Sequence, residues 1–409
     1  MKLKYLLSLL LFSNSFVFSQ KNTGLWRATL QRRDSVEILF NFTLKKEKKK
    51  TVMFIINGDE KMRVDDIRYK GDSVFINMPF FESSFKAKMK GDLWEGLWTR
   101  GSSAADISAP FKAIANKKRF EPTFGNAAFN INGRWKISFA TDASKDEASL
   151  GEFIQKGNKL TGSILTPTGD YRYLEGIVTG KKMKLSGFDG IHALLFEADI
   201  INAHILENGV FYSGVKFKDR FSGVKDPKAT VNTDVTAMYM RPGEEKLDFR
   251  FPDLDSNLVS INDPRFRGKV VVIQLMGSWC PNCMDETAFL SPWYQQHKQK
   301  GVEIIAIAYE YSTDFRRSLK SLLKFKERFN VEYPILITGV RVADTLRAEK
   351  TLPQVSPIKV FPSTIFIDKQ GKVRKFNTGF FGPGTGSHYE AYKAEFIKTV
   401  EELLKEGDK

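Results

Sequence analysis

Cysteine is nearly absent from this sequence. The chain of 409 residues has two cysteines, Cys280 and Cys283, and its four histidines are scattered at positions 192, 204, 297 and 388. A small secreted scaffold held together by disulfides carries many more cysteines. A structural zinc site needs about four ligands that the fold can bring together, and this pattern supplies only one close pair. The cysteine pair therefore needs a different explanation from either of these.

Long apolar runs are also missing, since no segment reaches the ~18 apolar residues of a membrane-spanning helix. The nearest candidate is the N-terminus, where Lys2 and Lys4 precede a short apolar stretch that ends at Val17-Phe18-Ser19. A basic start, a short apolar core and small residues at the end are typical of a secretory signal peptide. The sequence therefore predicts a signal peptide over residues 1–19. We expect an exported, periplasmic protein with no transmembrane span after cleavage.

Acidic residues are outnumbered, and the formal net charge is +15. The basic residues are spread along the chain, with one dense run at Lys45, Lys46, Lys48, Lys49 and Lys50. This run is flanked by strand-like residues and comes with no nucleic-acid motif, so a solvated hairpin tip explains it better than a phosphate-binding patch. We expect no nucleic-acid partner.

The N-terminal half has the turn spacing of antiparallel β structure. Signals such as Asn57-Gly58 and Gly157-Asn158 recur about every 8–12 residues between runs of alternating polarity. Gly24-Leu25-Trp26-Arg27 and Gly133-Arg134-Trp135-Lys136 share one pattern. These features predict two tandem meander or barrel-like β units, over residues 22–118 and 128–228.

Strands and helices alternate after a Pro- and Thr-containing linker at residues 225–245. The apolar strand Val270–Met276 precedes a helix from about Pro281, and a second strand–helix pair follows. Such alternation predicts βαβ units around a parallel sheet. The fold class is thus multidomain, with antiparallel β units first and an α/β domain over residues 245–405. The Gly-rich segment 380–386 is interpreted as a loop.

The cysteines lie at the predicted junction of strand and helix, in Trp279-Cys280-Pro281-Asn282-Cys283. Unpaired N–H groups and the helix dipole at such a junction favour a thiolate, and can lower a cysteine pKa from ~8.5 to roughly 3.5–7.5. Cys280 is then the nucleophile that attacks a disulfide, and Cys283, one turn later, resolves the mixed disulfide. A structural disulfide is a weaker explanation, because a loop of two residues removes little entropy from the unfolded chain.

Residues 245–405 resemble the TlpA/ResA-like thiol–disulfide oxidoreductases of the thioredoxin superfamily. The resemblance rests on the strand before Gly277-Ser278-Trp279-Cys280-Pro281-Asn282-Cys283, on Glu286, and on Val360-Phe361-Pro362-Ser363 before the final hairpin. It implies a cis Pro362 lying against the disulfide and a substrate chain held by the backbone of its neighbour Phe361.

The same resemblance implies roles for the residues around the two cysteines. Trp279 and Pro281 would contact the substrate, and Glu286 would help to move the proton of the resolving cysteine. An ordinary acid favoured by the helix dipole remains the alternative for Glu286. Gln274 departs from thioredoxins proper, which carry a proton-accepting Asp at this point.

The sequence predicts a protein-disulfide oxidoreductase that needs no cofactor or metal. Its expected partners are disulfide-containing exported proteins and a membrane thiol-electron donor. Two alternatives stay open. One is a thiol peroxidase, although the residues before Cys280 lack the Thr and Pro that such enzymes use. The other is a ligand-binding β protein with an accessory redox domain, in which Trp26, Trp94, Trp98 and Trp135 would line a ligand surface rather than the core.

Overall fold

The computed structural model describes residues 23–48, 50–79, 82–101, 107–142 and 147–406. The predicted signal peptide, residues 1–19, lies outside the described residues. The described part contains two large antiparallel sheets followed by a mixed sheet with helices. Among the helices of this part, none has both the length and the apolar character needed to cross a membrane. The architecture is therefore multidomain, all-β first and thioredoxin-like last, as predicted.

The first sheet has nine strands in the order β4-β3-β2-β1-β9-β8-β7-β6-β5. They are β1 (Gly24–Gln31), β2 (Glu37–Glu47), β3 (Lys50–Asn57), β4 (Glu60–Val64), β5 (Asp66–Lys70), β6 (Ser73–Asn77), β7 (Ser83–Lys90), β8 (Leu93–Arg100) and β9 (Ile107–Ala115). Glu47 pairs with Lys50, so the lysine-rich run does lie at the end of a hairpin. Gly58 adopts φ +57° in the turn from β3 to β4, which a glycine permits without strain.

The second sheet also has nine strands, and eight of them close into a barrel. They are β10 (Gly133–Phe139), β11 (Ser149–Lys156), β12 (Lys159–Thr166), β13 (Gly169–Asp170), β14 (Leu174–Thr179), β15 (Lys182–Phe188), β16 (Ala193–Asn202), β17 (Ile205–Ser213) and β18 (Phe217–Lys225). Strand β11 pairs with both β10 and β12, which completes the ring. The short strand β13 pairs with β12 and carries the chain away from the barrel wall.

The tryptophans of the β sheets are core residues. Trp26, Trp94, Trp98 and Trp135 are each at most 3% exposed. Trp26 packs against Trp94 with ring centroids 4.7 Å apart, and alternate residues of β1 are buried with it. Their burial supports the core interpretation over a ligand surface, since aromatic side chains dominate the energetics of such cores.

The C-terminal domain contains a five-stranded sheet in the order β23-β22-β21-β24-β25. A two-stranded ribbon, β19 (Arg250–Pro252) and β20 (Leu258–Ser260), precedes it. The sheet is made of β21 (Val270–Met276), β22 (Val302–Ala308), β23 (Ile335–Ile337), β24 (Ser363–Ile367) and β25 (Val373–Thr378), and the helices are α1 (Pro281–His297), α2 (Phe315–Phe329), α3 (Arg347–Thr351) and α4 (Ser387–Lys405).

Strand β21 is the central strand, and all seven of its residues are buried. It is parallel to β22 and antiparallel to β24. Four residues separate its end from the start of α1, so the first turn of α1 emerges at the carboxyl edge of the sheet. This edge of an α/β sheet is where functional sites are usually found.

Candidate redox site

Cys280 is the N-cap residue of α1 and is joined to Cys283 by a disulfide, with the two Cα atoms 5.2 Å apart. The backbone N–H of Cys283 donates to the Cys280 sulfur at 3.2 Å. Pro281 occupies the first helical turn, where its missing N–H leaves no helical hydrogen bond unmade. The local sequence thus directs the Cys280 sulfur at the positive end of a helix, which favours a thiolate once the disulfide is reduced.

Phe361 and Pro362 lie on the other side of the Cys280 sulfur. Their peptide bond is cis, as the resemblance implies. The Cys280 sulfur lies 3.5 Å from the carbonyl oxygen of Phe361. The indole N–H of Trp279 donates to the carbonyl of Tyr309 at 2.8 Å, and its ring meets the Phe361 ring at 5.9 Å. Phe361 and its cis bond to Pro362 therefore lie beside the Cys280 sulfur, and Trp279 packs against Phe361. Pro281 follows Cys280 directly.

Glu286 lies one helical turn after Cys283 and is buried. Its carboxylate accepts hydrogen bonds from the Gln274 amide at 2.7 Å, from the Thr364 hydroxyl at 2.5 Å and from the Tyr392 hydroxyl. Burial raises the pKa of Glu286 above its ordinary value, although these three donors oppose the shift. The Gln274 amide also lies 3.4 Å from the carbonyl oxygen of Cys283. Gln274 is thus a link between the dithiol segment and this acid.

A second buried acid at the site, Glu310, escaped the sequence analysis. It follows β22 by two residues and accepts hydrogen bonds at 2.7 Å from both the backbone N–H and the hydroxyl of Ser278. Burial raises the pKa of Glu310 from 4.5 to about 7. Because Ser278 belongs to the loop that leads into Cys280, Glu310 holds this loop in place.

A third buried acid, Asp285, is held by a residue of the β barrel. The Arg172 guanidinium makes two hydrogen bonds to Asp285, each of 2.8 Å, and a third of 2.7 Å to Glu60 of β4. Burial raises the pKa of Asp285 to about 7, although Arg172 opposes the shift. Arg172 thus joins the first sheet, the barrel and helix α1.

The Gly-rich loop and β13 meet at Asn282, between the two cysteines. The Asn282 amide donates to the carbonyl of Phe380 at 3.2 Å and lies 3.4 Å from the Asp170 carboxylate. Asp170 also accepts the backbone N–H of Gly382 at 2.7 Å. Gly169 adopts φ +137°, and a Cβ at this position would clash with the Asn282 amide. The segment interpreted as a plain loop therefore contributes directly to the surroundings of the dithiol.

Among the residues that the structure describes, no group of three or more His, Cys, Asp or Glu side chains could hold a metal ion. The chemistry that the geometry supports lies in the sulfurs and the buried acids. A disulfide at a helix N-terminus, a cis proline beside it and a proton-binding carboxyl one turn away together suit thiol–disulfide exchange.

Comparisons with known proteins agree with this geometry. The Redoxin family model matches residues 241–393. Thiol-disulfide oxidoreductase ResA of Geobacillus thermodenitrificans is 32% identical over 147 residues, which cover 36% of this chain and 74% of that protein. ResA of Halalkalibacterium halodurans is 28% identical over 140 residues, or 34% of this chain and 69% of that protein.

Among solved structures, the thioredoxin domain of a thiol-disulfide oxidoreductase from Bacteroides vulgatus is similar at 23% identity, with a TM-score of 0.28. The match covers 39% of this chain and 99% of that domain. The segment that the Redoxin model matches carries both cysteines and the cis proline. The chain belongs to the ResA-like thiol–disulfide oxidoreductases of the thioredoxin superfamily.

Proposed function

We propose that this oxidoreductase reduces disulfides of exported proteins, with Cys280 as the nucleophile and Cys283 as the resolving cysteine. The observation that carries the proposal is the position of the Cys280 sulfur, which caps α1 and accepts the N–H of Cys283 at 3.2 Å. The Cys283 sulfur is fully buried, whereas Cys280 keeps 4% of its surface exposed. Cys280 is thus the better placed of the two to meet an external disulfide.

The reaction transfers two electrons from the dithiol to the substrate. The Cys280 thiolate attacks one sulfur of the substrate disulfide, forms a mixed disulfide and releases the other sulfur as a thiolate. The Cys283 thiolate then attacks the Cys280 sulfur, which restores the Cys280–Cys283 disulfide and releases the second substrate thiolate. A dithiol electron donor, for which we propose a membrane thiol carrier, must afterwards reduce the enzyme.

Trp279, Pro281, Phe361 and Pro362 would hold the substrate chain during this exchange. The carbonyl of Phe361 lies 3.5 Å from the Cys280 sulfur and precedes the cis bond. A backbone carbonyl in that place supports pairing with an extended substrate segment that positions its sulfur over Cys280.

Glu286 is proposed to accept the proton of Cys283 during the second step. Burial raises its pKa, so the acid takes up a proton more readily than an exposed glutamate does. The Gln274 amide, which contacts both Glu286 and the carbonyl of Cys283, supports a coupling between the acid and the dithiol.

Replacing each cysteine by serine tests the assignment of roles. We expect Cys283→Ser to accumulate mixed disulfides with client proteins in the exported fraction, because the first step proceeds and the second cannot. Cys280→Ser, the matched control, should trap nothing and should abolish disulfide reduction. Non-reducing gels followed by mass spectrometry give the readout. Trapping by Cys280→Ser alone would reverse the two roles, and trapping by neither would reject the exchange mechanism.

A further inference from the structure

Cys280 is buried, although in the proposed reaction its sulfur must meet another disulfide. Cys280 is only 4% exposed. On one side of it, Ser278 and Trp279 border a small cavity whose opposite wall includes Ile191. On the other side, Pro281 and Asn282 border a cavity of about 190 Å³. In each case the opposite wall belongs to the β half of the molecule, residues 23–225.

One turn of the barrel lines both cavities. It connects β15 to β16 and consists of Asp189–His192, which we call the cap turn. Ile191 of the cap turn lines the first cavity, whereas Asp189 and His192 line the second. Ile191 is 3% exposed and belongs to the same buried apolar cluster as Cys280. The cap turn therefore lies close to the residues on both sides of Cys280 in the sequence, Ser278 and Trp279 before it and Pro281 and Asn282 after it.

The cap turn is held rigidly from the first sheet. The Trp98 indole N–H donates to the carbonyl of Gly190 at 3.0 Å, and the Asn57 amide donates to the carbonyl of Phe188 at 2.8 Å. Within the turn, Asp189 accepts the backbone N–H of His192 at 2.7 Å. These bonds tie the cap turn to the first sheet, so we expect it to move away from Cys280 only together with the β half.

Arg172 makes the most buried of the ion pairs that oppose such a separation. It reaches from the barrel to Asp285 on α1 and to Glu60 of the first sheet, and all three side chains are at most 15% exposed. Charge-assisted, bidentate hydrogen bonds of this kind are strong and directional, and a buried charge that loses its partner is costly. The pairs Arg317–Glu82 and His388–Glu152 also join the two halves and are more exposed. The Arg172–Asp285 contact holds the two halves together at Asp285, two residues after Cys283.

We propose that the β half determines which disulfides reach Cys280. Small disulfides enter through the cavity beside Pro281 and Asn282, whereas a protein disulfide reacts only after Arg172 separates from Asp285. The inference rests on the proposed function, because it concerns access to the same sulfur. Arg172 and Ile191 are in this account specificity-determining residues and take no part in the exchange itself.

Rate constants for two substrates test the proposal in the reduced, full-length protein. Bis(2-hydroxyethyl) disulfide serves as the small substrate and insulin as the protein substrate. We expect Arg172→Gln to raise the second-order rate constant for insulin at least tenfold and to change that for the small disulfide less than twofold. The matched control is Arg241→Gln, which removes an ion pair of 3.0 Å between the linker and Glu349 of α3. It should leave both rate constants unchanged.

The outcomes of this experiment distinguish failure of the cap proposal from failure of the proposed function. An unchanged ratio of the two rate constants in Arg172→Gln would overturn the cap proposal while leaving the proposed function intact. A wild-type protein that reduces neither substrate would overturn both. If circular dichroism shows that Arg172→Gln does not fold, Asp285→Asn decides. This variant removes the charged partner of Arg172 across the two halves. It should shift the ratio in the same direction, whereas a ratio like that of the wild type would again overturn the cap proposal.

Discussion

Replacing Glu310 by glutamine should remove a pH dependence of stability that the wild type carries. Glu310 is 6% exposed and has a pKa raised from 4.5 to about 7 by burial. Its folded form therefore binds a proton more tightly than its unfolded form. The resulting stabilisation is complete below pH ~4.5 and is lost as the pH rises through about 7. A shift of this size corresponds to roughly 3 kcal/mol.

The amide in Glu310→Gln is neutral at every pH and can still accept the backbone N–H of Ser278. We therefore expect the variant to match the wild type near pH 4.5 and to exceed its free energy of unfolding by up to about 3 kcal/mol at pH 8. Unfolding is followed by pulse proteolysis at increasing urea concentration. The amount of protease-resistant C-terminal domain that remains at each concentration gives its free energy of unfolding. Glu327→Gln, on the exposed face of α2, is the control for replacing a carboxylate by an amide at the surface of the same domain. A flat difference for Glu310→Gln would refute the assignment of a raised pKa.

Two further predictions concern proton transfer by Glu286 and export of the protein. Glu286→Gln should lengthen the lifetime of the mixed disulfide by about 10²-fold, since a general base is lost, and should move the pH at which resolution accelerates upward toward the pKa of a thiol. Quenched-flow alkylation measures this lifetime, and an unaltered lifetime would assign Glu286 to structure alone. For export, we expect the periplasmic fraction to contain a chain that starts at Gln20 by N-terminal mass spectrometry, whereas an intact Met1 in a cytosolic fraction would contradict it.

The parts of the site that could be predicted from the sequence are those whose residues lie close together in the chain. The cysteine pair, the helix that starts at Pro281 and the proline before β24 form contiguous motifs, so their chemistry follows from positions a few residues apart. The cis geometry at Pro362 came from the family resemblance and is confirmed. The β meanders followed from turn signals for the same reason, because a hairpin is a local structure.

The contacts between domains could not be read in this way. Arg172 lies 113 residues before Asp285, and no periodicity relates the two positions. Glu310 resembles any acid that follows a strand, and only the fold reveals that it is buried against Ser278. Closure of the barrel through the β11–β12 pair, which orients β13 toward Asn282, depends on register and not on any single residue.

The charge of Asp285 in the redox domain depends on its contact with the β half. Deleting the β half would therefore change this charge as well as access to Cys280. Asp285 is buried among Arg172 and Glu60, which come from the β half, and its pKa of about 7 depends on that burial. Removing the β half would return Asp285 to solvent and lower its pKa, since desolvation is the largest cause of the shift. A truncated redox domain would therefore differ from the full chain in the charge beside Cys283 as well as in access to Cys280. Glu60→Gln changes the charge near Asp285 and leaves the Arg172–Asp285 contact in place, whereas Arg172→Gln changes both. Comparing the two variants in the whole chain therefore separates these two effects where truncation confounds them.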